Sequence, residues 1–319
     1  MRKKKYQLCI LVVIVLLLAM ISLHVGVYDI YKDDGGMKML FLTRIPRTIA
    51  LLLTGAAMSI SGLVMQTLTQ NKMVEPTTTG TIEWASLGLL LVSVIFPAPT
   101  ITMKIIACIV FSFVGTMIFF VLLSRIRLKS SMLVPIIGMM MSAVISAFVN
   151  FLALEFQASQ IVSNWFVGSF SGIQKGRYEY LFLIIIMTFL IYLYANKLAV
   201  ASLGKDIAKT LGVNYNRVML VGTAFISLTV GIVAAVIGNL PFLGLIVPNL
   251  ISLIRGDHLK ENLPYVALAG MATITLCDIL SRILIAPFEV PVSLILGTVG
   301  CIVFMMILLR ERKRGTHGA

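Results

Sequence analysis

The chain has 319 residues, 59% of them hydrophobic and only 12% charged, with a mean hydropathy of +1.01. A soluble globule carries about a quarter charged residues, so this chain cannot cover its surface in water and takes lipid as its solvent. The net charge of +13 does not indicate nucleic acid, because the positive charges segregate along the chain.

A spanning helix needs about 20 mostly apolar residues. Ten spans are read, at roughly 8–28, 47–66, 78–96, 102–124, 132–153, 179–196, 217–238, 240–254, 264–283 and 290–309. The eighth is short and contains Pro248. Backbone groups must pair internally in hydrocarbon, so the spans are helices. The alternating strands of a membrane barrel are absent. The expected fold is an all-α polytopic membrane protein, with 1–319 as one transmembrane domain.

The N-terminus resembles a signal peptide, but ISLHVGVYD follows its apolar core and offers no small-x-small cleavage site. It is kept as the first span. With the N-terminus inside, 18 of the 26 Lys and Arg residues fall in cytoplasmic segments. That bias obeys the positive-inside rule, puts both termini in the cytoplasm, and makes the RERKR tail a topological anchor. Cys9, Cys108, Cys277 and Cys301 are isolated, with neither metal spacing nor a disulfide framework. There is no G-x-x-x-x-G-K-[ST], so no ATP hydrolysis is expected within the chain. His24, His258 and His317 are scattered. No catalytic or metal-ligating residue is assigned.

The most informative stretch is Arg44–Gly80, RIPRTIALLLTGAAMSISGLVMQTLTQNKMVEPTTTG. Arg44 and Arg47 lie on the outer side, against the charge bias, and Pro46 stiffens the turn between them. Arg282 is also outer, and Asp278 sits four residues earlier on the same helix face. One reading is snorkelling, with Asp278–Arg282 a local pair contributing about 0.3–0.5 kcal/mol. The other is an outward basic surface that docks an acidic partner. Gly55, Ser59 and Gly62 form a small-residue face suited to close helix packing. Glu83 would cost about 2.5–3.5 kcal/mol at mid-depth; a water-filled vestibule suits it better than a proton relay. Gly238, Pro241, Gly244 and Pro248 interrupt residues 236–254, as a pathway wall or as a structural kink. In SLGKDIAKTLGV (202–213), Leu203, Ile207 and Leu211 recur at four-residue spacing, and Gly212 permits a sharp exit.

Four segments, 44–76, 202–213, 241–264 and 268–300, together resemble the FecCD-type permease subunits of ABC importers for iron–siderophore complexes and vitamin B12. The resemblance runs from about residue 40 to 310. It implies the type II importer fold: ten helices per subunit and two such subunits around one pathway. It also implies two ATPase subunits and an extracytoplasmic siderophore-binding protein. ATP would be used by the partner subunit, with no cofactor on this chain, in the cytoplasmic membrane of a bacterium. Arg44, Arg47 and Arg282 match positions that receive acidic residues of the binding protein. Asn71, Met73, Glu75 and Pro76 match the cytoplasmic gate, and Ser130 and Ser131 a second constriction. Lys72 replaces the gate's usual proline, which implies a looser loop. Leu203, Gly204, Asp206, Ile207, Ala208, Leu211 and Gly212 match the segment seated in the ATPase, although Lys205 stands where an acid is common. TTTGTIEWA and VPNLIS look like the catecholate or mixed-siderophore branch, whose permeases pair with a different paralogue. The alternatives are vitamin B12 or haem as cargo, or an ion-driven secondary transporter, which needs a paired intramembrane acid and base.

Overall fold

The structure is a computed structural model and describes residues 2–26, 36–126 and 133–316. In chain order the helices are α1 Arg2–His24, α2 Gly36–Met39, α3 Ile45–Thr69, α4 Thr81–Ile95, α5 Ile101–Arg125, α6 Leu133–Glu155 and α7 Ser159–Phe166. There follow α8 Leu183–Ala201, α9 Lys205–Thr210, α10 Tyr215–Val236, α11 Leu243–Arg255, α12 Leu259–Ile283 and α13 Val292–Thr316. Among the described residues, an isolated bridge between Ile285 and Phe288 is the only β pairing.

Among the described residues, seven helical stretches are long and apolar enough to cross a membrane: Tyr6–His24, Met37–Thr69, α5, α6, Tyr178–Ala201, α10 and α12. Three shorter apolar helices, α4, α11 and Val292–Ile307, lie at the other three positions expected as spans and fall below the length that places a helix among the seven. Two of these are short for a local reason. A polar loop holding a single 3-10 turn, Pro76–Thr78, delays α4. The irregular run after α10 uses Phe242 in a left-handed conformation and delays α11.

α3 is the most enclosed of the seven long stretches and packs against α8, α10, α11 and α12. Its glycines make this possible. A Cβ at Gly55 would lie 2.6 Å from Gly270 O of α12, and one at Gly62 only 1.9 Å from Gly244 O of α11. Close backbone approach replaces the missing hydrophobic drive between helices in lipid. Hydroxyls add cross-links: Ser112 donates to Ser227 O at 3.2 Å, and Thr81 and Thr116 meet at 2.8 Å. Helix ends are closed by local chemistry. Thr100 accepts from Met103 N at the start of α5, and Asn214 from Arg217 N at the start of α10. Pro46 sits at the join between a π-helical turn, Leu40–Arg44, and α3, so its missing N–H falls where the backbone hydrogen-bond pattern changes.

Candidate functional site: the two ends of α3

At one end of α3 three arginines converge on the ends of α1 and α12. Arg47 donates through Nε and Nη2 to Asp278 Oδ1, at 3.1 and 2.7 Å. Its Nη1 reaches both oxygens of Glu289, each at 2.9 Å. Arg282 takes the other oxygen of Asp278 at 2.5 Å and also donates to Ser22 O, Ser22 Oγ and Val25 O. Arg44 donates to Leu23 O and His24 O, at 3.0 and 3.1 Å. Asp278 is fully enclosed, so its charge depends on the two guanidiniums beside it.

This arrangement corrects the expectation of an exposed basic surface. Arg44, Arg47 and Arg282 retain only 8%, 9% and 7% of their surface. Their donors are used inside the chain because α1 folds back over this end of α3 and α12. The pairing of Asp278 with Arg282 is present, but as part of a buried four-residue network rather than an exposed local pair. Glu289 is its most accessible member, with 35% of its side-chain surface open.

At the other end, Gln70 turns left-handed and stops α3. Asn71 is buried, and its Oδ1 accepts from Met73 N at 2.7 Å, closing a tight turn. Lys72 runs across to the end of α11, where Nζ meets Asp257 Oδ2 at 2.8 Å and Ser252 Oγ at 3.0 Å. Asn249 Nδ2 donates to Lys72 O at 2.8 Å, and Ser252 hydrogen-bonds to Asp257. Lys72 therefore adds a side-chain tie to Asp257 and Ser252 that the expectation of a looser loop did not include, while the carbonyl that accepts from Asn249 would be present in a proline as well. Burial raises the Asp257 carboxyl, but the hydrogen bonds and charge of Lys72, with Ser252 and His258, outweigh it and hold the group below the usual carboxylate range.

Glu75 follows in the same loop and is almost fully enclosed. Its Oε1 accepts from Phe242 N at 2.9 Å and from Thr77 Oγ1 at 2.5 Å. A carboxylate thus sits at the start of α11, where helix N–H groups point outward without intrahelical partners. Gln66 reinforces the join, donating to Gly244 O at 3.3 Å and Leu245 O at 3.4 Å.

The other expected residues fall into three places. Ser130 and Ser131 lie outside the described residues. Gly238 and Gly244 serve packing: Gly238, at φ +101°, lies against Trp165 O, and Gly244 against Gly62. Pro241 lies near Gly297, and Pro248 borders a polar cleft of about 380 Å³ shared with Asn71, Lys72 and Leu203. Glu83 sits on α4, and its Oε2 has no hydrogen-bond partner among the described residues. In the expected coupling segment, α9 is flanked by turns in which Gly204 and Gly212 take φ values of +101° and +72°. Leu203, Ile207 and Leu211 are 55%, 50% and 58% exposed, while Ala208 is fully buried. Asp206 contributes its carbonyl to Thr210.

The model of the FecCD transport family matches residues 8–310. The chain belongs to this family. It is 63% identical over 304 residues to a petrobactin import system permease protein of Bacillus anthracis, covering 95% of this chain and 91% of that one. It is 37% identical over 310 residues to a petrobactin import system permease protein of Bacillus subtilis, covering 95% and 98%. A solved inward-facing metal-chelate type ABC transporter shares the fold, with a TM-score of 0.82 at 24% identity over 95% of this chain and 98% of that one.

Within this FecCD chain, sequence reasoning missed Asp257, Glu289 and Asn249 as partners. Asp257 carried one signal, an acid inside the basic stretch IRGDH. Glu289 and Asn249 carried none, since their roles depend on helices distant in sequence.

Proposed function

We propose that the chain is the permease subunit of a binding-protein-dependent ABC importer carrying a ferric siderophore into a bacterial cytoplasm. End-to-end similarity to two petrobactin import permeases is the observation that carries the substrate class. In this reading all ten apolar helices cross the cytoplasmic membrane, and the Asn71 end of α3 faces inward. The chain pairs with a second permease, a different paralogue, above two ATPase subunits that use the ATP.

The loop Asn71–Pro76 acts as the inner gate, with α11 as the element it moves against. Glu75, Lys72 and Asn249 support this, because they couple the loop to α11 without a covalent link. Leu203, Ile207 and Leu211 form the apolar face that seats in the ATPase, and Lys205 and Lys209 beside them select an acidic rim. At the outer end, an acidic residue of the siderophore-binding protein reaches Arg47 by displacing Glu289, since the other arginine donors are buried. The pathway residues Glu83 and Pro248 line the space between gate and subunit partner.

The test is uptake of radiolabelled iron as its petrobactin complex by cells lacking their own permease and supplied with this chain and its partner subunits. Restored uptake is expected, with none for cobalamin. Uptake of cobalamin instead would overturn the cargo assignment.

A further inference from the structure

An apolar groove of about 570 Å³ opens on the side of the molecule between α3, α8 and α12. It carries no part of either end of α3. Its floor is built by small residues, Ala56 and Ala267, and its rim by the exposed side chains of Ile185 and Phe189. Along α12 it runs from Leu263 to Met271, a rise of about 12 Å. One leaflet's hydrocarbon is about half of a ~30 Å core, so the groove spans most of a single leaflet.

Two features fix its occupant. The first is lining. The walls are almost wholly apolar and the groove opens to the side, which suits a flexible acyl chain. The second is charge. Lys260, exposed one turn before Leu263, holds its Nζ 5.6 Å from the ring centre of Tyr192, which lines the groove. Lys260 lies near the end of α12 that shares a cleft with Asn71 and Lys72. The positive-inside bias puts that end at the cytoplasmic leaflet, where anionic headgroups concentrate.

We infer that this groove binds an anionic phospholipid of the cytoplasmic leaflet, with an acyl chain in the groove and its phosphate on Lys260 beside Tyr192. The inference rests on the orientation given under the proposed function, and not on the transport reading. Lipid tails are as apolar as the groove wall, so shape gives occupancy and the lysine gives headgroup choice. Tyr192 holds the ammonium at headgroup level, where aromatic rings with a polar tip settle.

The experiment is native mass spectrometry of the assembled transporter, purified and exchanged into mixed phosphatidylglycerol and phosphatidylcholine. The intact chain is expected to retain phosphatidylglycerol about fivefold over phosphatidylcholine, the preference one surface lysine supports. Lys260→Gln should abolish the preference while leaving lipid bound; Ala267→Trp should expel the lipid from the groove. A photoreactive residue at Thr188 should crosslink lipid. Equal retention of both lipids by the unaltered chain, an unchanged preference in Lys260→Gln, or crosslinking of Thr188 to protein would overturn the proposal. Loss of siderophore uptake would not bear on it, which keeps the two readings separable.

Discussion

Glu75 and Phe242, 167 residues apart in sequence, are joined by a 2.9 Å hydrogen bond that fixes the loop after α3 to the start of α11. The bond serves two partners. It satisfies the N–H of a residue held at φ +65°, and it places an acid where the α11 backbone leaves donors unpaired. Without it, a part-buried amide loses its acceptor.

Glu75→Ala should lower stability by about 1–3 kcal/mol, the cost of an orphaned donor. Glu75→Gln keeps an acceptor oxygen and should recover much of that loss. Thermal unfolding of the purified permease in detergent measures both. If Glu75→Gln were as damaging as Glu75→Ala, the join would depend on charge rather than on the hydrogen bond.

The Lys72–Asp257 contact is exposed on both sides, so its stability contribution is small, about 0.2–1 kcal/mol. Its effect is local: it decides how tightly the loop rides on α11. Because the folded Asp257 carboxyl is depressed, the contribution is fully present above the unfolded pKa and is lost as pH falls through the folded one. Thiol labelling of Met73→Cys, taken relative to an unstructured thiol at the same pH so that the thiolate fraction cancels, should therefore stay flat through neutral pH and rise only in acid, below the usual carboxylate range. Asp257→Asn should give the faster labelling already at neutral pH. Labelling that rises near neutrality would point to a different group.

Asp278 is the member of the arginine network that cannot be removed cheaply. Asp278→Asn leaves Arg47 and Arg282 facing one another with no buried counter-charge, and should cost about 3–5 kcal/mol. Glu289→Gln removes a half-open contact and should cost under about 1 kcal/mol. Comparing their unfolding temperatures separates the two classes. If acidic docking at Arg47 proceeds by displacement, Glu289→Gln should also tighten binding-protein affinity; weaker affinity would argue against displacement.

The membrane class was legible from composition, and the helices from apolar run length, because lipid imposes one dominant rule on backbone hydrogen bonding. The close approach of α3 to its neighbours was legible in Gly55 and Gly62, because a missing side chain has few other uses within a span. The fate of the arginines was not. Exposure depends on whether α1 covers them, and no local pattern in RIPR records the position of residues 22–25. The tie made by Lys72 was missed for a related reason: it depends on Asp257, far along the chain. Glu75 was recognised only as part of a motif, since its partner is the backbone of Phe242, and a backbone amide leaves no mark on sequence.

Leu203, Ile207 and Leu211 offer a test of coupling that folding does not confound. Each is at least half exposed, so replacing all three by Ser removes only part of their burial, and Ala208 remains to hold α9 in place. Stability should change by no more than about 1.5 kcal/mol, about 0.5 for each surface position. If the face seats in an ATPase, the triple variant should fail to co-purify with that subunit and should lose iron uptake. Gly212→Ala acts differently. No described residue lies within 4 Å of its Cβ position, so the penalty is the backbone strain of φ +72°, about 1–2 kcal/mol. It should lower stability and leave the ATPase bound. Retention of the ATPase by the triple serine variant would remove this face from the coupling interface.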